Sequence, residues 1–166
     1  MAIAAMLAAS GSAHADTDRC GPVQDAIAKM NAALRIQQRG LVTKSGAGQT
    51  YSSDLLAFED KEYSRQRDGA WRVGPRTQVP MVVDGEAAIF DCRRLGSESP
   101  GGTATTIYAY RRLMAKPKVV RDVRLWVVDG TGLAARSQVE IPSGDDRGRA
   151  EFIFRYDPDE IGRAHV

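Results

Sequence analysis

The sequence predicts an α+β domain built on a strongly curved antiparallel β-sheet with one helix at its N-terminal end, and three observations carry this expectation. From Val119 to Ile141, Val119, Val123, Leu125 and Val127 fall on one face of a strand, with Val120, Asp122, Arg124, Trp126 and Val128 on the other. Earlier, Val23, Ile27, Met30 and Leu34 recur at spacings of three and four, the stripe of an amphipathic helix. The rest of the chain divides into short alternating segments, giving seven or eight strands joined mostly by turns too short for parallel crossovers.

At 166 residues the chain has the length of one domain with a sizeable core. Residues 1–15 contain no Asp, Glu, Lys or Arg and end in Ala13-His14-Ala15, the small-x-small pattern of a signal-peptidase site. They are read as a leader cleaved near Ala15, leaving one domain over 16–166 in the periplasm or outside the cell. The basic start usual in leaders is missing, which points to an upstream portion or a different translation start; the alternative is an Ala-rich N-terminal helix. The run is too short to span a membrane, so no transmembrane segment is expected once the leader is removed.

The helix is expected around Pro22, with Asp25 in its first turn where the dipole favours an acid. The pattern changes to a strand through Ile36, Leu41 and Val42, and Lys44-Ser45-Gly46-Ala47-Gly48 reads as a turn. Gln49 to Arg67 gives two strands about a turn at Glu59-Asp60-Lys61, and Asp68-Gly69 turns the chain into Ala70-Trp71-Arg72-Val73. Val79 to Val83 reads as a short helix or a connector. Ala87 to Leu95 is a strand with Ala88, Phe90, Cys92 and Arg94 opposing Ile89, Asp91, Arg93 and Leu95, and a loop at 96–102 leads to its partner, Thr103 to Arg112. Lys116-Pro117-Lys118 is expected to interrupt the sheet. Asp129-Gly130-Thr131-Gly132 supplies glycines for a tight hairpin turn, and Leu133, Ala135, Ser137, Val139 and Ile141 alternate on the return. After a turn at 142–148, Ala150, Phe152, Phe154 and Tyr156 line one face of the last strand.

Cys20 and Cys92 are the two cysteines, and in a chain read as exported a disulfide is the natural pairing, pinning helix to sheet. Closing a loop of about 70 residues would contribute roughly 4 kcal/mol in the chain-entropy account. Two buried thiols are the alternative. A lipid anchor on Cys20 does not fit, because Asp16-Thr17-Asp18-Arg19 is too polar for a lipobox.

Two segments, Trp126-Val127-Val128-Asp129-Gly130-Thr131-Gly132-Leu133 and Glu59-Asp60-Lys61-Glu62-Tyr63 followed by Asp68-Gly69-Ala70-Trp71, resemble periplasmic lipoprotein carriers of the LolA type. The resemblance covers the last two thirds of the mature chain. It implies an open half-barrel with the N-terminal helix packed on its concave face and a lipid or other hydrophobic ligand inside, in envelope lipid or lipoprotein trafficking. Such carriers close their cavity with helices, and here only Val79 to Glu86 is available for that.

Net charge is +2 with arginine preferred over lysine, and the pairs Arg93-Arg94, Arg111-Arg112 and Arg121/Arg124 lie among acids without interleaved aromatics. Nucleic acid is therefore not an expected partner, and the pairs are read as a solvated sheet face with cross-strand ion pairs. His14 lies in the leader and His165 in the tail, so the core lacks histidine for a general base or a zinc site. No nucleophile elbow or phosphate loop is present. Asp145-Asp146 and Asp157, Asp159 and Glu160 lack the periodicity of a calcium loop, and nothing in the spacing selects Asp54, Glu59 or Glu62 as a catalytic pair.

Binding without catalysis, metal or cofactor is thus the expected activity. Tyr108, Tyr110, Trp126, Phe152 and Phe154 are expected to line an apolar surface, with Trp71 near its rim; ordinary core packing is the competing reading for each. The alternative function is an envelope protein-interaction or structural module with an exposed sheet edge. An enzyme on a nuclear-transport-factor-like cone would need polar groups converging in its cavity, which the histidine-free core disfavours.

Overall fold

In the computed structural model, which describes residues 17–46, 48–142 and 147–156, the N-terminal segment forms helix α1, Thr17–Ala32. The expected leader, Asp145-Asp146, the acids from Asp157 onward and His165 lie outside the described residues. Val23, Ala26 and Ile27 of α1 are buried, each large apolar side chain contributing about 1.5–3 kcal/mol. The helix starts before Pro22 and contains it, so one backbone hydrogen bond is forfeited near its N-terminal end. Leu34, expected on the buried stripe, falls beyond the helix and is 76% exposed.

A meander follows: β1 (Arg35–Lys44), β2 (Thr50–Phe58), β3 (Lys61–Gln66) and the short β4 (Arg72–Pro75). A connector leads to the small hairpin of β5 (Val82–Val83) and β6 (Glu86–Ala87), whose Asp84-Gly85 turn has positive φ at both residues, +51° and +82°. The second meander is β7 (Ile89–Glu98), β8 (Thr105–Ala115), β9 (Lys118–Val128), β10 (Ala134–Ile141) and β11 (Gly148–Arg155). Nine strands form one open antiparallel sheet in the order β4-β3-β2-β1-β11-β10-β9-β8-β7, so the two meanders are joined where β1 pairs with β11. The sheet curves about α1, which packs on β7, β9 and β10.

Of the two readings of Val79 to Val83, the connector holds, ending in β5, and α1 is the one α-helix among the described residues. Two details differ from the sequence reading. Lys116-Pro117 does not interrupt the sheet: a cis Lys116–Pro117 bond sits in the tight turn joining β8 to β9, which stay paired from Ala115↔Lys118 to Thr105↔Val128. Strict alternation fails in β7, where Ile89 and Cys92 share the core under α1. Asp91, at φ +53°, lies in the register shift between Phe90 and Arg93, and the extra residue turns Cys92 back to the inner face.

That bulge aims Cys92 at the helix. Cys20 and Cys92 form a disulfide with Cα atoms 5.1 Å apart, tethering the first turns of α1 to β7. The C-terminal end of α1 is held differently. Arg76 of the connector donates to the carbonyls of Ala33 (2.6 Å) and Met30 (3.1 Å), and the Asn31 side-chain amide both donates to and accepts from the backbone of Val79 (2.9 and 3.0 Å). Lys29 donates to Thr131 O (2.7 Å) in the β9–β10 turn, where Gly130 and Gly132 adopt the expected positive φ.

Replacing Cys20 and Cys92 by serine is expected to lower unfolding stability by about 2–5 kcal/mol, read as a lower urea midpoint than that of the oxidised protein. An unchanged midpoint would show that the tether contributes nothing.

Candidate functional site: the concave wall of the sheet

Strand register determines which side chains share the inner face, because directly opposed residues point the same way. One row runs Tyr110–Val123–Val139–Ala150–Val42–Tyr51 across six strands. The next runs Tyr108–Leu125–Ser137–Phe152–Gly40–Ser53. Helix α1 covers only part of this wall, and beside it lies a cavity of about 350 Å³ between Ile27 and Met30 on the helix side and Tyr110, Val123, Leu125, Phe152 and Phe154 on the sheet side. A neighbouring space of about 270 Å³ lies beneath the connector, against Asn31, Ile36 and Val79.

Gly40 shapes the floor. A Cβ there would clash with the Cδ1–Cε1 edge of the Phe152 ring and come within 3.1 Å of the Glu151 carbonyl, so the missing side chain lets the ring lie across β1. Tyr110, 5% exposed, has its phenol pushed up to about 12 by burial, partly offset by the nearby Arg112 charge.

The expected aromatic face is divided. Tyr108, Tyr110, Phe152 and Phe154 do share the inner face, with Tyr108 and Phe154 packed against the core under α1. Trp126 does not join them: it alternates with Leu125 and Val127 and lies on the outer face, where its indole donates to Glu98 (3.1 Å) beneath the Arg136 guanidinium, 4.5 Å from the ring centre. Trp71 precedes edge strand β4 and stacks under Arg65 (4.7 Å), whose partner is Asp54 (2.9 Å), again on the outer face. Strand parity is the reason for Trp126, and stacking on Arg65 of β3 places Trp71.

The reading of the arginine pairs needs the opposite correction. On the outer face the ion pairs are as expected: Arg111 reaches Asp91 (3.3 Å) and Asp122 (4.0 Å) in a shallow charged depression of about 420 Å³ that Arg93, Arg124 and Glu140 also line, while Arg149 reaches Glu140 (2.7 Å) and Arg136 meets Glu151. Arg112 and Arg121 belong to the inner face instead, directly opposed across β8 and β9 and bordering the cavity. Neither has an ion-pair partner among the described residues, and the Nε of each is buried without a hydrogen bond. The signal was present in the alternation, since Arg112 follows Tyr108 and Tyr110 at spacing two and Arg121 precedes Val123 and Leu125. Among the described residues no three His, Cys, Asp or Glu side chains converge as a metal group would require, and no helix is long and apolar enough to cross a membrane.

No protein-family model and no curated protein matches the sequence. Among solved structures, the Mycobacterium tuberculosis lipoprotein LppX aligns with a TM-score of 0.54 at 12% identity, over 87% of this chain and 98% of that one. The chain is similar in fold to LppX. MucB matches at 14% identity with a TM-score of 0.44, over 89% of this chain and 63% of MucB. A domain described as outer membrane lipoprotein-sorting, from Vibrio parahaemolyticus, matches at 10% identity with a TM-score of 0.33. The open half-barrel implied by the carrier resemblance is thus present, in a form shared with LppX, and the scarcity of helix noted in the sequence holds, with a connector over Val79 to Glu86.

Two substitutions test the division of the wall. Gly40→Val is expected to cost about 1–3 kcal/mol by overpacking, and less than additively when combined with Phe152→Ala, as a double-mutant cycle of urea midpoints would read. Trp126→Ala is expected to cost about 3–5 kcal/mol while leaving the inner cavity intact; a stability equal to the parent's would contradict its burial.

Proposed function

We propose that this chain is an exported binding protein that takes a lipid or other hydrophobic ligand between α1 and the uncovered part of its sheet. The single observation that carries the reading is the cavity beside α1, walled by Tyr110, Val123, Leu125, Phe152 and Phe154. A core of this size would normally be filled by its own side chains, and each methylene a ligand buries there contributes about 0.8 kcal/mol. The fold shared with LppX is compatible with this reading, as is the resemblance to lipoprotein carriers. The disulfide suits an oxidising compartment, and the uncharged segment ending at Ala15 suits a leader that leaves a single domain over 16–166. A wall of aromatic, aliphatic, amide, hydroxyl and arginine side chains, without a histidine or carboxylate among its described residues, supports binding over catalysis.

Of the residues singled out in the sequence, Tyr108, Tyr110, Phe152 and Phe154 are assigned here to the ligand face, and Trp71 and Trp126 to the outer face. Trafficking of envelope lipid or lipoprotein is the process in which such a carrier would serve.

Native mass spectrometry of the protein purified from the periplasm, followed by solvent extraction, tests the proposal. The expected result is a chain mass beginning near Asp16 plus a stoichiometric acyl-chain mass that extraction removes, and weaker reloading by Tyr110→Ala and Phe152→Ala than by Trp126→Phe. A clean unliganded mass with no uptake of added fatty acid would sink the binding reading and favour the interaction module, whose docking partner would then be sought at edge strands β4 and β7.

A further inference from the structure

Arg112 and Arg121 occupy directly opposed positions on β8 and β9, facing inward along the same cavity. Like charges so placed repel, and an arginine side chain cannot shed its charge to escape. No described carboxylate pairs with either guanidinium, and each Nε is buried without an acceptor. Glu62, on the wall of the neighbouring space that Arg112 also borders, is engaged by the Thr77 backbone N–H (3.2 Å). Burial, and then the Arg121 charge, lower the pKa of Arg112, while Tyr110 raises it. On the outer face of β8, by contrast, Arg111 has two carboxylate partners, Asp91 (3.3 Å) and Asp122 (4.0 Å).

Two planar donor forks bordering a cavity whose remaining lining is apolar or neutral, with Gln38, Gln66 and Ser137 but no carboxylate among its described residues, form a receptor for one anionic group, which can accept from both at once. We propose that the ligand is an amphiphile whose anionic headgroup, a phosphate or carboxylate, is held between Arg112 and Arg121 while its chain runs along Val123, Val139 and Phe152. This inference rests on the lipid-binding reading and adds the headgroup. It also accounts for the buried, unmatched charge: the unliganded protein carries a repulsion that the ligand relieves.

The test compares decyl phosphate, 1-decanol and inorganic phosphate by calorimetric titration of the mature, oxidised protein. Decyl phosphate is expected to bind at least about tenfold more tightly than decanol, the ratio one to two charge-assisted hydrogen bonds supply. Arg112→Gln and Arg121→Gln should each cost about tenfold against decyl phosphate and leave decanol unchanged. Arg112→Lys should lose less than Arg112→Gln. The melting temperature of each unliganded glutamine variant should equal or exceed the parent's, because a repulsion has been removed.

Decanol binding as tightly as decyl phosphate would overturn the headgroup assignment and leave lipid binding standing. Uptake of neither chain would overturn both readings. Inorganic phosphate binding as tightly as decyl phosphate would overturn the amphiphile, and a fall in melting temperature in both glutamine variants would make the arginines structural and overturn the proposal.

Discussion

One sixteen-residue helix has to cover the inner face of a nine-stranded sheet. Such a helix is about 24 Å long and about 10 Å wide, whereas nine strands spaced about 4.8 Å apart span roughly 40 Å. The helix cannot do it. Curvature brings part of the wall to the helix, the connector under its C-terminal end covers a little more, and what is left over is the cavity. The disulfide and the Arg76 and Asn31 contacts matter because they hold α1 at both ends on one side of the wall, over β7, β9 and β10.

Where the sequence was legible, one period governed a whole element. In the hairpin of β9 and β10 the glycine turn and the two-residue period of β9 survive, while β10 keeps its period only from Arg136 onward, because a register shift between Ala134 and Arg136 places Ala134 in the core; the turns after Phe58 and Gln66 survive as well. Where it was not, a local irregularity reset the phase. Asp91 shifts β7 by one residue and reverses the face assignments as far as Arg94, where a second shift before Gly96 resets them, changes no alternation count contains. Helix ends and the connector were hidden for another reason: they are decided by contacts from afar, such as Asn31 with Val79, rather than by local propensity.

The candidate site was legible in its aromatics but not in its sharing of faces. Trp126 looks like a ligand residue by type, yet parity sends it outward to Glu98 and Arg136. Arg112 and Arg121 look like surface residues by type, yet parity sends them inward. Residue type was therefore a poorer guide than phase, and phase between strands depends on register, which only the assembled sheet fixes. Gly40 is the quiet counterpart, invisible as a functional residue until the Phe152 ring is seen lying across it.

The pairing of β1 with β11 carries a consequence for how the molecule is made. These strands come from opposite ends of the chain yet form the central seam of the sheet. A chain released N-terminus first holds β1 with one bare hydrogen-bonding edge until β11 has emerged, so the seam is closed last and by the most distant contact in the sheet. Cys20 and Cys92 emerge well before β11, which allows the covalent link between helix and β7 to precede that closure. Until then the half-made sheet presents β1 as an open template for any stray strand, and assembly of this protein is a race between its own C-terminus and a neighbour's edge.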